Sequence, residues 1–271
     1  MKARFLLAVS LAAHCAPANT GTPTADLQIL VYNMHAGRDD QGVDNLARVA
    51  DVIRESGADL VLLQEVDRGT ERAGGRDQLA ELEQATRLHG VFGRTLDFQG
   101  GEYGIAILSR WPDMAQVTHA LPVTPAQERA GHSYEPRGAL QAAVSTPYRV
   151  VYLLNTHLDP SPEDTYRLQE AKRVKAIADG LRKAGNTVVI GGDFNSLPDT
   201  PTIRLIDSGE FRDSWLGCGM GDGEGYPARD PVKRIDYLFI SSDLECMGAR
   251  VITSNASDHR PVLFSIRFRD R

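Results

Sequence analysis

Val188-Val189-Ile190-Gly191-Gly192-Asp193-Phe194-Asn195 (VVIGGDFN) carries a β-branched run into two glycines, then sets a carboxylate and an amide two positions apart. The apolar run predicts a buried strand over 187–190. On extended backbone, residues i and i+2 share a face, so Asp193 and Asn195 are expected on one side and Phe194 on the core side. The two glycines are expected to let backbone or ligand come close. Alone, the stretch reads equally well as a polar turn closing a strand.

The rest of the chain supplies the context. Its 271 residues, 42% of them hydrophobic, can bury a large core in one big domain or two small ones. A net charge of −6 argues against a broad basic surface for tight, non-specific nucleic-acid binding. Met1-Lys2-Ala3-Arg4, the apolar run 5–13 and the small Ala16 and Ala18 predict a signal peptide over 1–18. A single domain over 19–271 in an extracytoplasmic compartment is then expected. The run is too short to span a bilayer, and no other stretch could cross one. Cys15 raises a lipid anchor, but bulky His14 stands where such sites want a small residue. Cys218 and Cys246 either pair or stay as buried thiols. No C-x-x-C or H-E-x-x-H occurs, so a zinc site has no support.

Strands are expected at "LQILVYN" (27–33), "ADLVLLQEV" (58–66), "YGIAILSR" (103–110), "GALQAAV" (138–144) and "YRVVYLLNTHL" (148–158). "RIDYLFIS" (234–241), "ARVITS" (249–254) and "PVLFSIRF" (261–268) follow. Helical spacing predicts helices over 44–55 with Gly57 as stop, over 77–89 closed by Gly90, over 164–183, and a short one around 202–207. Consecutive strands without helices exclude a simple alternating barrel and predict β-sheets covered by helices.

Several apolar runs stop at residue types that chemistry can use: Asn33, Glu65, Asn155 with His157, Asp193 with Asn195, Asp236, and Asp258 with His259. Sites gather at strand carboxyl ends in open α/β sheets, so these ends can converge on one cleft. Carboxylate and amide oxygens without thiolates suit Mg²⁺ or Mn²⁺. Asp236, inside an apolar run, needs a partner; Arg234 on the same strand face is the plain candidate and a histidine imidazole the other.

The stretches "YNMHAG", "LVLLQEVD", "YGIAILSR", "EPRGAL", "NTHLD", "GGDFNSLPD", "RIDYLF" and "SDHRPV", in that order, resemble the endonuclease/exonuclease/phosphatase superfamily of metal-dependent phosphohydrolases. The resemblance implies an α/β fold, a four-layer α/β sandwich of two packed mixed β-sheets flanked by helices. It implies Mg²⁺ (or Mn²⁺) on Glu65 as principal carboxylate, with Asp258 near the metal and Asn33 orienting metal or phosphate. His259 is similar to the family's base or phosphate-contacting imidazole, held in its tautomer by Asp236, and Asp193 to the aspartate that handles a proton or a metal water. Asn195, His157 and Arg137 match phosphate contacts, while Tyr103 fits less diagnostically as a phosphate-side or cleft-shaping residue.

The implied reaction is hydrolysis of a phosphodiester by a monomer, nuclease-like first. A phospholipid head group, as in sphingomyelinases, or a small phosphomonoester are the alternatives. A non-catalytic binding module is the weakest reading, because every catalytic identity is intact. Loops over 116–135 and 217–229 are expected to rim the cleft with Arg129, His132, Tyr134, Tyr226 and Arg229, joined by Trp215. Arg68, Arg72 and Arg76 would add a positive rim.

Overall fold

Two apolar strands that each feed a helix and return in parallel set the frame. In the computed structural model, which describes residues 26–126 and 135–269, the chain runs β1 (Asp26–Asn33), α1 (Leu46–Ser56), β2 (Leu60–Arg68), α2 (Gln78–Thr86), β3 (His89–Phe98), β4 (Gly101–Ser109), β5 (Met114–Ala120) and β6 (Gly138–Ser145). It continues with β7 (Val150–His157), α3 (Thr165–Lys183), β8 (Thr187–Asp193), α4 (Pro201–Ile206), β9 (Phe211–Asp213), α5 (Ser214–Cys218), β10 (Asp236–Ser241), β11 (Leu244–Val251) and β12 (Val262–Phe268). The expected leader, Cys15, Arg129, His132 and Tyr134 lie outside the described residues.

One sheet has the order β11-β12-β1-β2-β4-β3 and the other β5-β6-β7-β8-β10-β9. The parallel pairs β1–β2 and β7–β8 occupy the middle of each, with antiparallel neighbours outside. Parallel strands need a crossover, and α1 and α3 supply it. Inward faces from both sheets, among them Val31, Leu62, Ile107, Leu153, Val189 and Leu238, make the central core. A second core lies under α1 and α2 (Val49, Ile53, Leu82) and a third under α3 and α4 (Val174, Ile206, Phe239). This is the expected four-layer sandwich.

The differences lie at the periphery. β3, β5 and β9 are strands that the sequence pattern does not announce, and all three are outer or edge strands. β5 alternates poorly because it is mostly exposed, so the rim loop expected from residue 116 begins as a strand. α2 ends at Thr86 with Arg87 in the left-handed conformation (φ 61°), three residues before Gly90, which lies in β3.

The two glycines of VVIGGDFN serve the sheets rather than a ligand. A Cβ on Gly191 would lie 2.6 Å from Leu62 Cδ1 of the opposite sheet, and one on Gly192 (φ 137°) 1.9 Å from the main-chain oxygen of Thr156 next door. Close strand and sheet approach needs them.

Cys218 and Cys246 form a disulfide with Cα atoms 5.7 Å apart across 28 residues. Closing a loop of that length contributes about 3–4 kcal/mol in the chain-entropy picture. Among the described residues no helix is long and apolar enough to cross a membrane.

Candidate active site

Strand register assembles the centre. His157 ends β7 opposite Asp193 of β8, and Asp193 stands opposite Asp236, which starts β10. Cross-strand neighbours in register share a face, so three polar residues far apart in sequence form one row. His157 and Asp193 of that row line a cleft of about 640 Å³, with Asn33, Glu65, Tyr103, Arg137, Asn195, Asp258 and His259 around them, while Asp236 stands behind His259.

His259 is only 5% exposed. Its Nδ1 lies 2.8 Å from Asp236 Oδ2, so the partner of that buried carboxylate is the histidine. Arg234 instead donates to Asp213 at 2.7 Å. A carboxylate only accepts, which places the proton on Nδ1 and turns Nε2 toward Asp193 Oδ2, 3.6 Å away. Burial alone would lower the His259 pKa, but the charge and hydrogen bond of Asp236 outweigh it and the net shift is upward. Two further contacts hold the ring. Ser257 Oγ accepts from His259 N (3.1 Å) while donating to the main-chain oxygen of Asn33 (2.8 Å), and the Tyr226 ring lies 4.7 Å from the imidazole.

Asp193 is buried, and burial pushes its pKa upward against the pull of His259. Its Oδ2 receives Asn33 Nδ2 at 3.0 Å and lies 3.5 Å from His157 Nε2. Arg137 Nη1 donates to His157 Nδ1 at 3.2 Å and to Glu135 Oε1. Arginine cannot accept, so the His157 proton is fixed on Nε2, facing Asp193. Asn195 reaches the cleft by another route than strand alternation. β8 ends at Asp193, and Asn195 adopts a left-handed conformation (φ 47°) with its N–H on Asp193 Oδ1 at 2.8 Å. Phe194 turns into the core as expected, edge-on to Tyr237 and Phe239.

Glu65 also breaks its strand. It has φ 58° where the β2–β4 register shifts between Leu63 and Val66, a bulge that turns the carboxylate into the cleft. A non-glycine residue held there costs on the order of 1–3 kcal/mol, a strain typical of functional positions. Asn33 Nδ2 donates to Glu65 Oε1 (3.1 Å) as well as to Asp193, while its Oδ1 accepts from His35 N (3.1 Å). The Asn33 amide therefore binds two carboxylates together and, in this orientation, does not offer them an oxygen. Asp258 Oδ1 lies 3.7 Å from His35 Nδ1.

Two sets of groups fit a cation. The ligand atoms of Asp193, Asp236 and His259 lie within 4.8 Å of one another, and Asp236 Oδ1 is buried without a hydrogen bond. That trio is nevertheless committed to its own Nδ1–H···O bond. Half-buried Glu65 and Asp258 present hard carboxylate oxygens to the same cleft, a donor set suited to Mg²⁺ or Mn²⁺.

Other expected residues have different duties. Asn155 is a tie between sheets: its Nδ2 donates to the main-chain oxygens of Leu63 and Ala106, and its Oδ1 accepts from Gln64 Nε2. Trp215 is core, 7% exposed and edge-on to Phe264. Arg229 pairs with Asp40, Arg68 with Asp77 and Glu102, and Arg76 with Asp44 and Glu81. Only Arg72 of that rim lines the cleft, gripped by buried Asp67 at 2.6 and 3.0 Å and lying over the rings of Phe98 and Tyr103. Glu135, which accepts from Arg137, and Ser257, which accepts from His259 N, belong to the site although no apolar run ends at either. The signal was their place beside Arg137 and His259.

Behind the cleft, Glu170 of α3 accepts the main-chain N–H of Asp159 at 2.8 Å, and burial pushes its pKa up to about 8. A carboxyl whose folded pKa is raised binds more protons folded than unfolded, so stability falls as pH climbs from about 4.5 to about 8. Glu170→Gln keeps an acceptor and removes the titration. Relative to wild type it should gain roughly 2–4 kcal/mol at pH 8 and little at pH 4.5, read from thermal melts at both. A variant less stable than wild type at pH 8 would contradict this.

A model of the endonuclease/exonuclease/phosphatase family matches residues 30–259. Solved structures share the fold. A family protein from Beutenbergia cavernae superposes with TM-score 0.73 at 23% identity, over 90% of this chain and 72% of that one. A mannosyl-6-phosphatase from Bacteroides thetaiotaomicron gives 0.72 at 19% identity, over 89% and 100%. Truncated TDP2 from Caenorhabditis elegans gives 0.67 at 20% identity, over 90% and 98%. With the family match spanning most of its length and the motif residues gathered in one cleft, this chain belongs to the endonuclease/exonuclease/phosphatase family and is a metal-dependent phosphoesterase.

Proposed function

We propose that this phosphoesterase is an exported, Mg²⁺-dependent hydrolase of phosphodiesters, acting on unpaired strands or nucleotide-like diesters. The observation that carries the reading is the convergence of Asn33, His157 and His259 on one oxygen of Asp193, in a cleft shared with Glu65 and Arg137. A divalent cation held by Glu65 and Asp258 supplies charge neutralisation at the phosphoryl oxygens when bound. The chain's own groups do the rest. Arg137 and the Nε2–H of His157 orient and neutralise the phosphoryl group. Asp193, made more basic by burial, takes the proton of the attacking water. His259, kept cationic by Asp236, places a positive Nε2–H where negative charge develops.

The cleft volume lies in the small-ligand range, and Phe98 and Tyr226 offer flat faces to a base or sugar. With Arg68 and Arg76 tied up in ion pairs, no continuous basic track for a duplex runs along that rim. The likeness to a mannosyl-6-phosphatase and the buried Arg137 favour a second reading, a small phosphomonoester. For export, the Cys218–Cys246 bond favours an oxidising compartment. Secreted material that still begins at Met1 would contradict it.

A substrate panel separates the readings: a single-stranded oligonucleotide, plasmid DNA, a chromogenic diester, sphingomyelin and a hexose 6-phosphate, each with Mg²⁺ and with EDTA. The expected result is chelator-sensitive cleavage of the diester and the single strand, faster than of duplex. Choline-phosphate release without strand cleavage, or release of inorganic phosphate alone, would overturn it.

A further inference from the structure

A second concavity, of about 870 Å³, adjoins the catalytic cleft. Its walls come from α1 (Arg48, Asp51, Val52, Glu55), from the end of β11 (Arg250), and from Arg229 and Arg260 with the segment 252–255. The two hollows share their partition. Tyr226 and His259 face the catalytic cleft, and Ala228 and Arg260, close by in the same segments, face the groove. Hydrogen bonds from Ala228 N to the Asp258 carbonyl (2.6 Å) and from Arg260 N to the Gly225 carbonyl (2.8 Å) weld those segments together.

The charges of the groove are unevenly matched. Arg229 is neutralised by Asp40, and Asp51 is held by Arg54 at 2.9 Å. Arg48 donates to the Asn255 amide at 2.7 Å and Arg260 to the Ala228 carbonyl at 2.6 Å, both neutral acceptors. Among the described residues Arg250 is exposed and has no ion-pair partner. Three uncompensated guanidinium groups thus face one carboxylate, Glu55, on a chain whose net charge is −6. Ser254, Thr253 and Asn255 add neutral hydrogen-bonding groups. A concave, polar, arginine-lined wall matches a sugar-phosphate backbone, whereas a lipid surface would be met by a convex face with exposed apolar side chains.

We propose that this groove is an exosite for the phosphates of a single-stranded nucleic acid whose scissile phosphate occupies the cleft beside His259. The inference rests on the phosphodiesterase reading above, and it adds length to the substrate: Arg48, Arg250 and Arg260 hold flanking phosphates while the cleft handles one. Arg48 and Arg250 lie on different elements and outside the catalytic cleft, so the double variant Arg48→Ala/Arg250→Ala isolates the groove.

Binding of a labelled single-stranded oligonucleotide to the full chain is measured by fluorescence anisotropy in EDTA, without turnover, across a salt series. Hydrolysis of a small chromogenic diester in Mg²⁺ is measured in parallel. The double variant should bind at least ten-fold more weakly, with a log Kd against log salt slope reduced by about 2, one for each lost phosphate contact. The small diester should be cleaved at an unchanged rate. Equal binding by both proteins, or no oligonucleotide binding by wild type, overturns the exosite. Wild-type binding to anionic phosphatidylserine vesicles but not to the oligonucleotide, lost in the variant, overturns it in favour of a lipid surface. If neither protein cleaves the small diester, the phosphodiesterase reading fails, and the binding comparison still decides the groove.

Discussion

Replacing His259 with alanine is expected to lower kcat/KM by 10²- to 10⁴-fold while leaving the fold intact. The imidazole joins the buried Asp236 carboxylate to the reacting face of the cleft, through Nδ1 at 2.8 Å and Nε2 near Asp193. General acid–base and electrostatic help of this kind is worth roughly 3–5 kcal/mol of barrier, which converts to that range of rate. The stability cost has two sides. Removing the ring leaves the Asp236 carboxylate buried without its cationic partner, a loss of about 3–5 kcal/mol, but the central core does not contain His259. Circular dichroism should therefore report a native spectrum with a lowered Tm, and Asp236→Asn should reproduce much of the catalytic loss by removing the charge that keeps the imidazole cationic. Activity of His259→Ala within three-fold of wild type would remove the residue from the mechanism.

Glu65→Gln is expected to cost a similar two to four orders of magnitude, with a different signature. The amide still accepts from Asn33 Nδ2, so the carboxylate cluster stays organised. What disappears is the negative charge at the bulged, half-buried position that faces the cleft. Neutralisation by a cation is worth several kcal/mol at a phosphoryl centre, and it depends on that charge. The variant should need far more Mg²⁺ for half-maximal activity, and EDTA should silence wild type and restore nothing in the variant. An unchanged Mg²⁺ dependence in Glu65→Gln would place the ion elsewhere.

Legibility followed burial. Central strands announced themselves as apolar runs, and their polar termini named the site: Asp236 demanded a partner because a carboxylate in "RIDYLF" is buried, and His259 meets it. Of the edge strands, only the end of β11 falls in a stretch that the pattern marks, 249–254. "HGVFGRTLDF" and "MAQVTHA" are half-exposed on outer strands, so neither alternation nor an apolar run marks them. Backbone irregularity was equally hidden. Nothing in "LLQEV" says that Glu65 takes φ 58° at a bulge, although that bulge aims the carboxylate. Asn155 looked like a site residue because a buried amide and a catalytic amide share one signature, a polar residue in an apolar run. Trp215 failed as a rim residue for the opposite reason: a glycine-rich neighbourhood suggested a loop, while α5 and the disulfide press the indole into the core. Arginines on the rim misled because sequence does not show which carboxylates they meet.

Where the divalent ion sits decides which groups are left to handle protons. Anomalous diffraction from crystals soaked in Mn²⁺ reads it directly. One strong peak is expected within about 2.0–2.6 Å of a Glu65 carboxylate oxygen, with the His259–Asp236 hydrogen bond intact. An ion seated on Asp193, Asp236 and His259 instead, with that hydrogen bond broken, would contradict it.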